Sequence, residues 1–369
     1  MRVGAEATNL NLLVAGGGTG GHVFPALAIA REWMSRGADR TVIFAGTARG
    51  LETKLVPAAG LPLELIRSAG WKGLGGMMLA RNLSLLPLGL WDSAAILRRH
   101  KFAAAFGVGG YAAGPVMLAA IWKDLPTVIL EPNAEPGFTN RVLAAMVTRV
   151  ATAYAEPAER IGRKAVPTGC PVRAEFFLAQ PAQPAAPFRV LITGGSQGAR
   201  AVNRAIVGAL DLLAVRARQI SIVHQTGPRD YNDVRAAYEG RDLDAEVVPF
   251  IGDMAERFAQ AHLIVSRAGA ITSSEIAASG RAAIFIPFGA AADSHQLRNA
   301  QEFERAGAAR LIPESKLLPE LLAQTIFSLL DRPQQLIEMG ARARSMARPN
   351  AARDVVNVIE QAALMGEQS

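Results

Sequence analysis

The sequence has 369 residues, of which 50% are apolar and 19% are charged, with a net charge of +7 and one cysteine, Cys170. These values exclude a disordered, a collagen-like and a disulfide-stapled chain, and the length is typical of two domains. The whole positive excess lies in residues 1–175, which favours an anionic partner for that half, although a solubilising surface would have the same composition. The lone cysteine favours a reducing cytoplasm.

Short apolar segments alternate with longer helical patterns along the chain. The segments are apolar on both faces, as the strands of a parallel sheet covered by helices must be. In chain order the predicted strands are LNLLVAG, TVIFAG, AAAFGVG, TVILEPN, RVLITGG, ISIVHQTG, AEVVPF, LIVSRAG and AAIFIPFG. The patterns Pro25–Arg36 and Ala199–Val215 are two of the predicted crossover helices. The fold class is therefore α/β, with doubly wound parallel sheets.

The longest uncharged run, residues 102–122, has the length of a membrane span. Glycine and proline interrupt its middle, at Gly107, Gly109, Gly110, Gly114 and Pro115. Because these residues break a continuous helix, we predict a strand, a glycine loop and a helix instead.

A proline-rich segment divides the chain. Residues 179–187, AQPAQPAAP, carry three prolines and no charge, which is typical of a linker. The pattern of strand, glycine turn and helix begins near residue 10 and again near residue 189. We predict two domains, residues 1–178 and 188–349, facing each other across a cleft, with glycine loops at the carboxyl ends of their strands.

The first glycine loop, GGGTGGH, matches the dinucleotide fingerprint G-x-G-x-x-G at Gly16, Gly18 and Gly21. Backbone N–H groups at the start of a helix suit a phosphate. A dinucleotide site also needs an acid at the end of the next strand. That strand, TVIFAG, is not followed directly by a carboxylate, and Glu52 lies in a later loop. The loop therefore predicts a site for a phosphate or another anion rather than for NAD.

The second half contains two polar helix starts. In LIVSRAGAITSSEIAASG, Thr272 and Ser273 lie in the first turn, where they can meet a diphosphate, and Glu275 can accept hydrogen bonds from ribose hydroxyls. Capping residues would give the same pattern. In PFGAAADSHQLRNA, four side chains can bind a sugar, although a polar helix start is an equal alternative. They are Asp293, His295, Gln296 and Asn299.

Seven motifs occur in one order over residues 10–355: GGGTGGHVFPALAIA, GVGGYAAGP, LEPNAEPGFTN, TGCPVR, GGSQGA, SRAGAITSSEIAASG and DSHQLRNA. This series closely resembles the MurG family of bacterial UDP-N-acetylglucosamine transferases. The resemblance implies two Rossmann-like domains of the GT-B type and inverting transfer from UDP-N-acetylglucosamine to the 4-hydroxyl of MurNAc. The acceptor would be undecaprenyl-diphosphate-MurNAc-pentapeptide, so that lipid I becomes lipid II. It also implies that a last helix, about residues 350–369, packs on the first domain.

The resemblance implies donor contacts from both domains. In the first domain, the residues implied to lie against the sugar and phosphate side of the donor are Thr19, Gly20, Gly21 and Asn133. The other implied ligands of the nucleotide, diphosphate and sugar are Arg173, before the linker, and, in the second domain, Ser196, Ile251, Ala270, Ile271, Thr272, Ser273, Ser274, Glu275, His295 and Gln296. Two positions depart from many family members: Ala268 stands in place of serine and Pro132 in place of glutamine.

Inverting transfer needs a base near the attacking hydroxyl. His22 follows the first glycine loop, and an imidazole with an ordinary pKa near 6.5 suits this work at neutral pH, although it could serve only as a helix cap. Glu131 is the rival candidate. The acceptor side is predicted to include Gly109, Gly110, Tyr111 and Asn140, and the glycine loop of residues 107–114 is predicted to hold the lipid diphosphate.

No pattern in the sequence points to a metal or another cofactor. The pair Asp242 and Asp244 lies in a charged segment without a glycine turn, and the histidines are scattered singly. We therefore expect transfer without a metal.

Residues 67–101 combine basic and apolar side chains. The basic members are Arg67, Lys72, Arg81, Arg98, Arg99 and Lys101, against the single acid Asp92. The apolar members are Trp71, Met77, Met78, Leu79, Leu83, Leu85, Leu86, Leu88, Leu90 and Trp91. This mixture predicts contact with an anionic membrane surface, although a buried helix with a solvated face would look similar. The resemblance further implies a peripheral location on the cytoplasmic face of the inner membrane and a cell-wall synthesis complex as partner, and we expect no nucleic acid.

Three alternatives share this architecture. A related lipid glycosyltransferase would act on another acceptor, such as diacylglycerol. A UDP-N-acetylglucosamine 2-epimerase has a soluble substrate and needs no basic apolar surface. A binding module without activity would not need His22 and Glu275 together.

Overall fold

The computed structural model of the chain describes residues 10–69, 82, 84–180, 183–289 and 295–366. These residues form two compact units. The first contains the described residues up to Pro171 together with those from Asn350 onward, and the second is Val172–Pro349.

The first unit is built on a parallel sheet of seven strands in the order β3-β2-β1-β4-β5-β6-β7. These strands are β1 Leu10–Ala15, β2 Arg40–Gly46, β3 Leu63–Leu65, β4 Ala104–Gly107, β5 Thr127–Glu131, β6 Arg149–Thr152 and β7 Ala165–Pro167. The chain moves outward from β1 to β3 and then returns to β4 beside β1. The order reverses there, so the loops after β1 and β4 meet at the switch point where such sheets bind ligands.

The second unit repeats this plan with six parallel strands in the order β10-β9-β8-β11-β12-β13. They are β8 Phe188–Thr193, β9 Ile220–Gln225, β10 Asp244–Val248, β11 Leu263–Ser266, β12 Ala282–Phe285 and β13 Ala309–Leu311. Its switch point lies between β8 and β11. The predicted fold class is confirmed: each unit has a doubly wound parallel sheet.

Helices cover both sheets. In the first unit they are α1 Gly20–Ser35, α2 Glu52–Ala58, α3 Leu86–Arg99, α4 Ala113–Trp122, α5 Phe138–Ala144 and α6 Ala155–Ile161. In the second they are α7 Arg200–Ala214, α8 Tyr231–Tyr238, α9 Met254–Gln260, α10 Ala270–Ser279, α11 His295–Arg305, α12 Pro319–Leu330 and α13 Pro333–Met346. The last helix is α14, Ala351–Gly366. Within the described residues, no helix has both the length and the apolar character to cross a membrane.

The C-terminal helix α14 belongs to the core of the first unit. Val355 and Ile359 are fully buried in the same apolar cluster as Ile29 of α1. The Glu360 carboxylate lies 2.6 Å from Arg36 and 2.5 Å from Arg40, so ion pairs join α14 to α1 and to β2.

The predicted elements are found with two differences. All nine predicted strands are present, and the uncharged run 102–122 divides into β4, a glycine loop and α4, as predicted. The short strands β3, β6, β7 and β13 were not predicted, because each contains a charged residue or a proline and so lacks the continuous apolar run that marks the equally short β4, β11 and β12. The first helix was predicted to begin at Pro25 but begins at Gly20, directly on the glycine loop. Pro25 lies inside it, where its missing N–H leaves the Gly21 carbonyl without a helical donor.

Candidate active site

The glycine loops after β1 and β4 are in direct contact. A Cβ atom on Gly110 would lie 2.6 Å from the Gly17 carbonyl oxygen and 3.3 Å from Nδ1 of His22. Gly110 also has a φ of +80° and Gly109 a φ of +91°, a region that disfavours side chains. Both glycines are therefore needed for the loops to pack this closely beside His22.

His22 is the third residue of α1 and is half-buried. Its Nδ1 lies 3.4 Å from Thr19 Oγ1, and its ring makes a hydrogen bond to the backbone of Gly17. Burial lowers the pKa of the imidazole, and the Gly17 bond and the charge of Glu52 raise it only in part, so the pKa lies below 6.5. The ring is therefore neutral at pH 7 and can accept a proton.

Glu131, the rival candidate for the base, is a buried and fully occupied carboxylate at the end of β5. Its oxygens accept hydrogen bonds from the Asn133 amide at 2.9 Å, Asn133 Nδ2 at 3.1 Å, the Gly137 amide at 3.0 Å and Asn140 Nδ2 at 2.9 Å. Burial raises the pKa of Glu131 and these donors lower it in part. With only 1% of the residue exposed, this carboxylate supports the loop before α5 and offers little access to a substrate hydroxyl.

The remaining predicted acceptor residues lie close to His22. Tyr111 is 48% exposed beside Gly18, and a small pocket next to it is lined by Gly110, Gly114 and Thr139. Asn140 is buried and donates to Glu131 and to the Leu130 carbonyl, and its Oδ1 has no hydrogen-bond partner among the described residues. The predicted acceptor residues of the first unit therefore lie around one histidine.

The second unit gathers most of its predicted residues at the starts of α7 and α10. Ala270 and Ile271 open α10, and Thr272 follows as a half-buried residue. Ser273 is fully buried and its Oγ has no hydrogen-bond partner among the described residues, whereas Ser274 Oγ donates to the Ala270 carbonyl at 2.9 Å. Ser196 lies in the glycine loop that leads into α7.

Glu275 is the buried acid of this site, with 8% of the residue exposed. Arg173 Nη2 lies 3.3 Å from Glu275 Oε1, and its guanidinium stacks on Phe176. Burial raises the pKa of Glu275 to about 7, although Arg173 lowers it in part. A carboxyl group that is both buried and weakly paired suits a ligand that supplies hydrogen-bond donors.

A cavity of about 430 Å³ lies at the glycine loop before α7 and the first turns of that helix. Its lining includes Gly194, Gly198, Arg200, Arg204, Arg267 and Gln296. Gln296 Oε1 accepts the Phe288 amide at 3.0 Å, and His295 is the first residue of α11. The predicted sugar ligand Asp293 lies outside the described residues, and Ile251 is 5% exposed, packed in the apolar core.

Two well-placed residues were missed by sequence reasoning. Arg267 donates to the carbonyls of Ile286 and Pro287 and lies 2.5 Å from Glu314, which fixes a guanidinium at the cavity wall. Glu52 is fully buried beneath the first glycine loop. Arg267 could have been found from its place after strand LIVS, but no local signal marks Glu52. Groups of three or more potential metal ligands are absent from the described residues.

Comparison with known proteins identifies the chain's family. Residues 12–152 match the glycosyltransferase family 28 N-terminal domain, and residues 189–355 match the glycosyltransferase family 28 C-terminal domain. The chain belongs to glycosyltransferase family 28. The two matched regions of this family 28 glycosyltransferase contain the loops of both units described above.

This family 28 glycosyltransferase matches a sequence relative and a crystal structure along nearly its whole length. A relative from Solibacter usitatus (strain Ellin6076), named UDP-N-acetylglucosamine--N-acetylmuramyl-(pentapeptide) pyrophosphoryl-undecaprenol N-acetylglucosamine transferase, is 43% identical over 96% of this chain and 97% of its own. The crystal structure of Acinetobacter baumannii MurG matches with a TM-score of 0.76 and 33% identity, over 95% of this chain and 99% of that chain. The predicted resemblance to the MurG family is confirmed.

A third match shares only the fold. A putative UDP-N-acetylglucosamine 2-epimerase from Listeria monocytogenes has a TM-score of 0.72 at 11% identity, covering 96% of each chain. Identity this low carries no argument about activity. The sequence relatives, rather than the fold, therefore separate the transferase from the epimerase.

Proposed function

We propose that this family 28 glycosyltransferase moves N-acetylglucosamine from UDP-N-acetylglucosamine to the 4-hydroxyl of MurNAc in undecaprenyl-diphosphate-MurNAc-pentapeptide, with inversion. The product is lipid II, the disaccharide-carrying lipid used for peptidoglycan. The observation that carries the proposal is the 43% identity over 96% of the chain to a relative named for this transfer. The geometry of the two units supplies chemically suitable groups for each part of the reaction.

The second unit would hold the donor. The Glu275 carboxylate would accept hydrogen bonds from the two ribose hydroxyls, which supply the donors that this buried group lacks. The amides that open α10, with Ser273 and Arg173 beside them, would receive the diphosphate, because a helix start and a guanidinium both favour negative charge. Gln296 and His295 would contact the sugar. Since the Ile251 side chain is packed in the core, its main chain would meet the uracil.

The first unit would bind the acceptor and act as the base. His22 would take the proton of the MurNAc 4-hydroxyl. In the same step the hydroxyl oxygen would form a bond to the anomeric carbon of the donor sugar, while the bond between that carbon and the diphosphate oxygen breaks. Attack on the face opposite the leaving UDP inverts the configuration. Thr19, Gly20 and Gly21 would lie on the sugar and phosphate side, with Asn133, while Tyr111 and the Asn140 loop orient the acceptor.

Membrane contact of the first unit is part of the proposal. The outward face of α3 carries exposed Leu88 and Trp91, with the Arg98 guanidinium 5.7 Å from the Trp91 ring, and Trp122 of α4 is 70% exposed. Exposed tryptophan and leucine with a basic neighbour suit an anionic lipid surface. These side chains support peripheral contact with a lipid surface, which we propose to be the cytoplasmic face of the inner membrane.

The predicted basic surface of residues 67–101 is weaker than the sequence suggested. Arg67 forms hydrogen bonds to both oxygens of Asp92, at 2.9 and 2.7 Å, and Arg99 pairs with Glu64 at 3.1 Å. These acids neutralise two of the arginines. Seven predicted members lie outside the described residues: Trp71, Lys72, Met77, Met78, Leu79, Arg81 and Leu83.

A transfer assay tests the proposal. The protein is incubated with radiolabelled UDP-N-acetylglucosamine and a short-chain lipid I analogue, and label in the lipid fraction is measured. We expect label to appear with this donor and to be far lower with UDP-N-acetylgalactosamine. Absence of label would overturn the proposal, and conversion of the donor alone to its 2-epimer would favour the epimerase.

A further inference from the structure

A buried carboxylate lies beneath the first glycine loop. Glu52 is the first residue of α2 and is 0% exposed. Its Oε2 accepts the Gly18 amide at 2.7 Å, and its Oε1 accepts the Thr47 amide at 3.0 Å and the Thr47 hydroxyl at 2.8 Å. No lysine or arginine within the described ranges forms an ion pair with it. The side chain is satisfied by the loop and by the end of β2, not by a cation.

Three glycines make room for the Glu52 side chain, because a Cβ atom at any of them would clash with it. A Cβ atom on Gly46 would lie 2.7 Å from Glu52 Cγ, and a Cβ atom on Gly17 or Gly50 would overlap the carboxylate. Three glycines from three different segments therefore converge on one acid. The first glycine loop already contains an anion of the protein's own at Gly18.

The hydrogen bonds of this carboxylate lead directly to His22. The Gly18 amide that donates to Glu52 and the Gly17 carbonyl belong to the same peptide group. The His22 ring makes its backbone hydrogen bond to Gly17, so one peptide group joins the acid to the histidine. Hydrogen bonds in such a chain polarise one another, and a carboxylate at the N–H strengthens the carbonyl as an acceptor.

The orientation of the imidazole fits this connection. Nδ1 lies on the side of Thr19 Oγ1, at 3.4 Å, and a Cβ on Gly110 would touch both Nδ1 and the Gly17 oxygen. A Cβ atom on Gly109 would lie 3.4 Å from Nε2, on the other side of the ring. A ring N–H held on the Gly17 side leaves the Nε2 lone pair free to accept a proton.

We infer that Glu52 is a positioning residue for His22, acting through the Gly17–Gly18 peptide group. It fixes the loop that carries the carbonyl partner of the imidazole, and it stabilises the imidazolium that forms when His22 takes the acceptor's proton. This inference rests on the proposed function, in which His22 is the base. It extends that function to an acid that does not touch the substrate.

The electrostatics of His22 agree with this role. Burial lowers the pKa of the ring, whereas the Gly17 hydrogen bond and the charge of Glu52 raise it. Two other titratable groups belong to the elements around the ring: Tyr111 beside Gly18, and Glu131, whose carboxylate is held by Asn140. Loss of the Glu52 charge therefore lowers the pKa of His22 and makes it a weaker base.

The test compares Glu52→Gln with Thr47→Val. The glutamine removes the charge at nearly constant volume, whereas the valine removes one hydroxyl donor from the same carboxylate and keeps the charge and the Gly18 bond. For Glu52→Gln we expect kcat to fall about 10- to 100-fold, the loss typical when the partner that orients a metal-bound histidine is removed. The acid limb of the pH–rate profile should move to lower pH, with Kd for UDP-N-acetylglucosamine unchanged. For Thr47→Val we expect both kcat and the acid limb to remain near wild type.

A titration independent of activity completes the test. The chain has five histidines, and the His22 imidazole signal in an NMR titration is identified by its loss in His22→Gln. The signal should titrate at lower pH in Glu52→Gln than in the wild type. An unchanged His22 titration, or a Glu52→Gln profile matching that of Thr47→Val, would overturn the inference.

Two further outcomes are distinguishable. If Glu52→Gln does not fold, Glu52→Asp replaces it in the test. The shorter side chain keeps the charge but moves it away from the Gly18 amide. A wild-type kcat and a wild-type acid limb in Glu52→Asp would overturn the inference. A wild-type protein that titrates as expected but transfers no sugar to the lipid I analogue overturns the proposed function. The effect of Glu52 on His22 is then still measured by the NMR titration.

Discussion

Replacing Glu275 with glutamine should stabilise the protein at pH 8 while weakening its binding of UDP-N-acetylglucosamine. The carboxyl group is buried, and burial raises its pKa from 4.5 to about 7 against the opposing effect of Arg173. Above pH 7 the folded protein therefore carries a buried charge that only one guanidinium, 3.3 Å away, compensates. A glutamine of similar shape carries no such charge.

The size of this effect follows from the pKa. The folded protein retains the Glu275 proton between pH 4.5 and about 7, where the unfolded chain has lost it, so stability falls as pH rises through this window. Each pH unit of the window corresponds to about 1.4 kcal/mol, which gives a loss of about 3 kcal/mol by pH 8. The glutamine variant lacks this loss. Its gain in melting temperature at pH 8 should be about 6–12 °C, at about 2–4 °C per kcal/mol for a unit of this size.

Scanning calorimetry at pH 5 and pH 8 measures the effect, with the exposed Glu239→Gln as control. The difference between Glu275→Gln and wild type should be small at pH 5 and large at pH 8, whereas the control should show no pH-dependent difference. Binding of UDP-N-acetylglucosamine by Glu275→Gln should weaken about 10- to 100-fold, because hydrogen bonds to a charged group are lost. A stability difference independent of pH would refute the raised pKa, and undiminished affinity would refute contact with the ribose.

Three other predictions concern the first unit. His22→Ala should lower kcat by at least about 100-fold with Kd for the donor unchanged, and a normal kcat in a folded variant would remove His22 as the base. Ile359→Ala in α14 should lower the free energy of unfolding by about 2–4 kcal/mol, because the residue is fully buried beside α1. The exposed Gln361→Ala should lower it little in the same chemical unfolding experiment. Equal losses in the two variants would contradict this packing. Trp91→Glu should weaken flotation with anionic vesicles, and wild-type binding should weaken with salt; unchanged flotation would contradict the membrane surface.

The sequence predicted the fold well because its main strands are apolar on both faces. Segments such as TVILE and LIVS have few other stable environments than the interior of a helix-covered sheet. The missed strand Leu63–Leu65 is a short edge strand with Glu64 at its centre, so no apolar run marks it. The start of α1 was misplaced because proline usually marks the first turn of a helix, and Pro25 is an exception.

Candidate site residues could be predicted only where a short sequence motif contains them. His22 and Glu275 each follow a glycine loop in the sequence, so motif and chemistry together made them candidates. Glu52 could not be identified, because it is 34 residues from Gly18 along the chain and meets it only in the folded sheet. The same contact changes the interpretation of the first glycine loop. Its Gly18 amide, expected to be open to a phosphate, is already bound to the protein's own carboxylate.

The linkage in the product tests the central claim most directly. Wild-type protein is incubated with UDP-N-acetylglucosamine and a lipid I analogue, and the lipid product is isolated and examined by NMR and mass spectrometry. We predict one added N-acetylglucosamine joined in the β configuration to the 4-hydroxyl of MurNAc. An α linkage, attachment at the 6-hydroxyl or the absence of a disaccharide lipid would contradict the account.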